Sequence, residues 1–197
     1  MTSIRDIGTR EPAAAGGRGT VSPNDSVSPN GTVFLGPGQG PAIMMGALPL
    51  VFKALAAWTN GAFELHEQPI RPGVLVAPHR HENQDQVSYV VSGTLGFLVG
   101  GEEFEAPAGS FIWRPRQVTH ALWNSGPQEA RMLEISSPGS QIEEFFNRFD
   151  GLTRAGGMTA AAIAELAAPY GISYELSRIP DLEARHGVSA GGAWWPE

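Results

Sequence analysis

Between residues 62 and 136 short apolar runs recur at intervals of roughly ten residues, divided by turn residues. The clearest are 63–67, 74–76, 87–91, 95–99, 111–113 and 132–135. Runs this short, broken by Gly, Pro, Asn and Ser, predict strands of an antiparallel sandwich or barrel. Val99-Gly100-Gly101-Glu102 carries a two-glycine hairpin signal. Thr32-Val33-Phe34-Leu35 is a candidate first strand, and 42–52 mixes apolar runs with Gly and Pro. The period then changes. Ser140-Gln141-Ile142-Glu143 reads as a capping box, and Ile142, Phe145, Phe146 and Phe149 fall at i, i+3, i+4 and i+7. That stripe predicts a helix packed against the barrel. A second helix is expected from Thr159, with Ile163, Leu166, Ala167 and Tyr170 on one face and Gly171 as its stop.

The resulting plan is a disordered leader over 1–31, a β-barrel over 32–138, a helical extension over 139–176 and a tail over 177–197. The leader is rich in Gly, Ala, Ser, Pro and Asn, with little to bury. In the tail, Trp194-Trp195 is expected to tuck onto a neighbouring surface.

Composition narrows the function classes. The 197 residues are 42% hydrophobic with nine Phe and five Trp, enough for a packed core. A net charge of −7, with no Lys/Arg run, argues against nucleic acid and against an acidic membrane surface. Without cysteine there is no disulfide and no thiolate ligand or nucleophile. The first ten residues lack an apolar core, and no stretch approaches the roughly 18–20 apolar residues that span a bilayer. A soluble cytoplasmic protein acting on a small molecule is the expectation. An apolar stripe over a barrel edge also suits a homodimer.

Three of the five histidines form a metal-ligand pattern. Pro78-His79-Arg80-His81 leads into Glu82-Asn83-Gln84-Asp85-Gln86 and the run Val87-Ser88-Tyr89-Val90-Val91. His-x-His on a strand puts both imidazoles on one face, because strand side chains alternate. His120, from a distant segment, completes one side of a coordination shell for a divalent transition metal such as Fe, Mn, Ni, Co or Zn. His66 and His186 are read as ordinary surface or hydrogen-bonded residues, Glu82 as a solvated loop carboxylate, and Arg80 as facing away from the ligands.

These residues resemble the two motifs of the cupin family. Gly73, His79, His81 and Gly93 match the first motif, with Gln86 where the family has Glu. Gly101, Pro107, Gly109, His120 and Asn124 match the second. Less specifically, 32–174 is similar to single-domain bacterial cupins of the quercetin-dioxygenase-like kind. The resemblance implies a double-stranded β-helix (jelly-roll) barrel, all-β but for the C-terminal helices, with a metal on His79, His81 and His120.

Gln86 is the informative departure. Its carbonyl oxygen can still coordinate, weakly, so Gln86 is the expected fourth ligand and catalytic residue, with a hydrogen-bonding place behind the ligands as the alternative. An amide, however, is no carboxylate base and cancels no metal charge. A net +2 site favours substrates that bind as anions: enolates, carboxylates or phenolates. On the motif alone, Gln86→Glu is expected to tighten metal binding. Asp85 is the alternative ligand should the chain bulge before it. By strand parity Phe97, Phe111 and Trp113 are candidates for an apolar pocket wall, and in a small barrel the same positions fill the core. Asn124 is expected to stabilise a strand end. Three functions follow: a metal-dependent dioxygenase, a non-redox isomerase, lyase or cyclase, and a binding module without catalysis.

Overall fold

The computed structural model describes residues 32–45, 48–140 and 142–190. Among the described residues, eleven strands form two antiparallel sheets: β1 (Ala42–Met45), β2 (Leu48–Ala54), β3 (Glu64–Ile70), β4 (Leu75–His81), β5 (Asp85–Ser92), β6 (Thr94–Val99), β7 (Glu102–Pro107), β8 (Phe111–Arg114), β9 (His120–Trp123), β10 (Ala130–Ser137) and β11 (Ile172–Tyr174). The six-stranded sheet runs β1-β2-β3-β10-β5-β8, and the five-stranded sheet runs β11-β4-β9-β6-β7. Three described helices follow the barrel: α1 (Ile142–Arg154), α2 (Ala160–Ala167) and α3 (Ile179–His186). The expected jelly-roll barrel with C-terminal helices is what the chain forms.

Local chemistry explains the turns. β6 and β7 meet across Gly100-Gly101, whose φ values of 61° and 100° suit a tight hairpin between twisted strands. Gly96 has another role: a Cβ there would sit 2.1 Å from the Trp123 indole, so only glycine lets β6 pass beneath that ring. Asn124 ends β9 by donating Nδ2 to the carbonyls of Ile70 and Gln128, both at 2.8 Å. Its Oδ1 accepts from Gly126 N.

The main core lies between the sheets and under α1 and α2. Leu50, Phe52, Ile70, Val90, Leu95, Phe97 and Phe149 are each completely buried there. All four apolar positions of the α1 stripe are buried, so this helix closes one end of the barrel. α2 begins where Thr159 accepts from Ala162 N, and its last turn ends at Gly171 in the left-handed region. Glu64 supports the α1 entry from the barrel, its carboxylate meeting the backbone N–H groups of Ser140 and Ile142. The capping-box geometry itself includes Gln141, outside the described residues.

Three features depart from the sequence reading. Residues 32–35 form no strand, only an isolated bridge at Val33. The region read as a helical extension also supplies β11, which joins the five-stranded sheet beside β4 by pairing Tyr174 with His79 and Ile172 with His81. Within the segment read as a tail, α3 covers the outer face of the five-stranded sheet. Ile179, Leu182, Val188 and Ala190 pack there on Leu75, Ala77, Leu98 and Trp123. β4 is therefore buried on both faces over its first four residues and loses the period-2 signature of a half-exposed strand. The leader (1–31) and Trp194-Trp195 lie outside the described residues.

Candidate metal centre

His79 and His81 lie two apart on β4, so the pleat turns both rings inward. β9 runs antiparallel beside it and places His120 directly opposite His79. The ring centroid of His79 lies 5.2 Å from that of His81 and 4.4 Å from that of His120. One ligand nitrogen from each of the three residues lies within 4.8 Å of the others.

Backbone carbonyls orient two of these rings. Nδ1 of His79 is 2.8 Å from Ala77 O, and Nδ1 of His120 is 3.0 Å from Val118 O. A carbonyl only accepts, so both rings carry their proton on Nδ1 and keep the Nε2 lone pair free. Nε2 of His120 and Nδ1 of His81 are buried without a hydrogen-bond partner among the described residues. Burial pushes the pKa of His79 down to about 4 and that of His81 to about 3, with the neighbouring His79 adding to the latter. Burial holds His120 well below its ordinary value too. The triad is neutral at physiological pH, the form that binds a metal. The buried Nε2 lone pair of His120 has no proton to meet among the described residues, and the set of three imidazoles fits a cation.

Gln86 projects into the same cavity from β5 and is 3% exposed. Its Nε2 donates to Glu134 Oε1 at 3.1 Å and to Ser136 Oγ at 3.3 Å, and its Oε1 is buried without a partner among the described residues. Glu134 is ion-paired through Oε2 with Arg114 Nη2 at 2.5 Å. Burial opposes the charge of Glu134, yet the guanidinium prevails and holds its carboxyl down at about 2. Arg114, 1% exposed, also donates to Ser88 Oγ at 2.8 Å.

Sequence reasoning missed Glu134, Arg114 and His66. The inner face of the six-stranded sheet inverts the usual pattern at this end: Glu64, His66 and Gln68 face in along β3 while Leu65 and Glu67 are only half-buried. Met132, Glu134 and Ser136 do the same along β10. Parity from the plainly buried Met132 would have pointed to Glu134. His66 is not a surface residue: it is 2% exposed, lies 3.8 Å from Glu134, and packs between Phe52 and Phe146. His186 does sit near the surface, stacked on Trp123 and bonded to Glu103.

Asp85 is not at the site. Both its oxygens engage Arg116, whose N, Nε and Nη2 donate at 2.8, 3.1 and 2.9 Å. No bulge intervenes before Gln86, so alternation turns Asp85 outward. Arg80 points away as expected, donating Nε to Ser173 Oγ, and Glu82 is exposed. The pocket wall read from parity also needs correction. Phe111 and Trp113 are 66% and 60% exposed on the outer face of β8, because Ile112 and Arg114 take its inner face. Phe97 faces inward but packs in the core against Phe104, away from the cavity lining. The apolar wall comes instead from Met45 on β1, from Ile142, Phe145 and Phe146 on α1, and from Ile172 and Tyr174 on β11.

Residues 66–136, which carry the three clustered histidines, match the family model described as the cupin domain. The chain contains a cupin domain. It is 35% identical over 69 residues to the polyketide synthase CurC of Streptomyces cyaneus, across 35% of this chain and 45% of that protein. The chain thus spans under half the length of that curated relative. Among solved structures, an RmlC-like cupin from Shewanella frigidimarina is 22% identical, covering 57% of this chain and 96% of that one with a TM-score of 0.49. A predicted oxalate decarboxylase from Thermotoga maritima is 19% identical, covering 49% and 90% at a TM-score of 0.45. KdgF from Halomonas sp. is 19% identical, covering 49% and 84% at a TM-score of 0.44. No helix among the described residues of the chain is long and apolar enough to cross a membrane.

Proposed function

We propose that this cupin is a metal-dependent dioxygenase acting on a small enolisable or phenolic compound bound as its anion. His79, His81 and His120 would hold one divalent transition ion, with Gln86 Oε1 as a neutral fourth donor. The observation that carries this reading is the all-neutral donor set, in which His81 Nδ1, His120 Nε2 and Gln86 Oε1 are buried without a partner among the described residues. Such an ion would supply uncancelled positive charge for an oxyanion and, when redox-active, a path for electrons from the bound substrate to dioxygen.

The chain's own residues set the terms for the substrate. Gln86 is an amide and takes no proton, and Glu134 is ion-paired with Arg114, so among the described residues no free carboxylate base faces the cavity. Compounds that ionise readily without enzyme help are therefore favoured: β-diketones, flavonols and acidic phenols. Met45, Phe145, Phe146 and Tyr174 give the cavity an apolar wall that excludes water, and at about 30 Å³ it must widen by movement of that wall to admit a ring or acyl chain. The polyketide synthase relative is consistent with this class, since polyketides are rich in enolisable diketones.

A second reading has a specific observation in its favour. With no carboxylate among the donors the ion is more electrophilic, which suits a Lewis-acid cyclase or isomerase that needs no oxygen. The two readings separate in one assay. Iron-, manganese-, nickel- or cobalt-loaded protein is incubated with flavonols and β-diketones, with and without air. Stoichiometric oxygen uptake alongside substrate loss supports the dioxygenase; equal turnover under nitrogen overturns it in favour of the second reading. No turnover of either kind, with metal bound, would leave a binding module.

A further inference from the structure

The Gln86 side chain has two N–H donors and one carbonyl acceptor. Both donors are spent on the neighbouring strand, at Glu134 Oε1 and Ser136 Oγ. β10 pairs with β5 in the register that sets Ser136 opposite Gln86 and Glu134 opposite Ser88. On the other side of β5, Arg114 stands opposite Gln86 and grips the second oxygen of Glu134. An ion-paired carboxylate can only accept. Rotating the amide by half a turn would press Gln86 Oε1 against Glu134 Oε1, two acceptors at contact distance. The amide therefore has one orientation, and in it Oε1 is left buried in the cavity without a partner among the described residues.

We propose that Glu134 is a positioning residue: it locks the Gln86 amide with its oxygen toward the metal centre, and it makes an amide, not a carboxylate, the side chain that fits position 86. This rests on reading Gln86 as a metal-facing residue. It also revises the expectation that Gln86→Glu would tighten metal binding. Glutamate there would set two carboxylates against each other where a hydrogen bond now runs. Exchanging the two residues restores the match, because an amide at position 134 would donate its Nε2 to a carboxylate at position 86 and still offer its oxygen to Arg114.

The test uses the full chain, stripped of metal by chelation and titrated with Co²⁺. Its readouts are the dissociation constant and the d–d absorption spectrum, with unfolding of the metal-free protein as a check on folding. Glu134→Gln should weaken Co²⁺ binding by about tenfold or more and alter the d–d bands, the size of effect seen when residues behind a ligand are changed. Gln86→Glu alone should weaken it also, and the exchange variant Gln86→Glu/Glu134→Gln should bind about tenfold more tightly than either single change. Wild-type affinity and spectrum in Glu134→Gln, or additive losses in the exchange variant, overturn the proposal. Should Glu134→Gln fail to fold because Arg114 is left unpaired, Arg114→Met/Glu134→Met removes that charge together with the acceptor for Gln86 Nε2 and carries the same expectation and the same refutation. Gln86→Ala separates the layers. If it leaves Co²⁺ affinity and spectrum unchanged, the metal-facing reading of Gln86 fails; if it weakens binding while Glu134→Gln does not, only the role of Glu134 fails.

Discussion

An imidazole binds a metal through a lone pair, and at His79, His81 and His120 burial keeps that lone pair free by making the imidazolium costly. His120 holds the decisive position, since it brings the second strand to the site and its Nε2 meets nothing else among the described residues. His120→Ala should reduce metal content from about one ion per chain to near zero, and elemental analysis of the purified variant gives the answer. Full occupancy would refute the centre. The clustered histidines were readable because spacing on a strand dictates facing. Glu134 was not, because its meaning depends on β10 lying next to β5, which brings together side chains 48 residues apart in sequence. Phe111 and Trp113 failed for a related reason: parity gives the sharing of a face but not which face is inside. Their exposure makes a clear test, since Phe111→Ser and Trp113→Ser should change unfolding free energy by no more than about 0.5 kcal/mol.

At the scale of elements, α1 was the most legible piece, its i, i+3, i+4, i+7 stripe being fully buried as drawn. Phe149 is completely buried, and Phe149→Ala should cost about 3–5 kcal/mol in denaturant unfolding. The way α1 is anchored was hidden. Glu64 is 2% exposed, and burial raises its pKa from 4.5 to about 7 against the pull of the two backbone N–H groups. Below pH 4.5 that carboxyl is protonated whether the chain is folded or not, so its native contribution is intact. Between pH 4.5 and 7 the unfolded chain ionises first, and folding stability falls as pH rises, by on the order of 2 kcal/mol. Glu64→Gln should flatten that slope relative to wild type in urea titrations from about pH 4 to about pH 8; identical slopes would show that Glu64 does not titrate there. β11 escaped notice because three residues carry too little pattern to be read as a strand.

Across the whole molecule, the barrel was legible from strand length and turn spacing, while its outer covering was not. The five-stranded sheet is packed on its inner side by the main core and on its outer side by α3, so the first four residues of β4 read as continuous burial. Leu182 is fully buried in that outer layer, and Leu182→Ala should lower stability by about 2–5 kcal/mol without altering Co²⁺ affinity. A drop in both would mean that the outer layer braces the ligand strands.

The wall over the cavity is built largely from α1 and β11, both following the last barrel strand in sequence, whereas every candidate ligand comes from β4, β5 and β9. The candidate ion site and most of the wall that would meet a guest therefore reside in separate stretches of chain. Selection, or a designer, can change Ile142, Phe145 and Phe146 on the cavity face of α1 to admit a different molecule without replacing any candidate ligand.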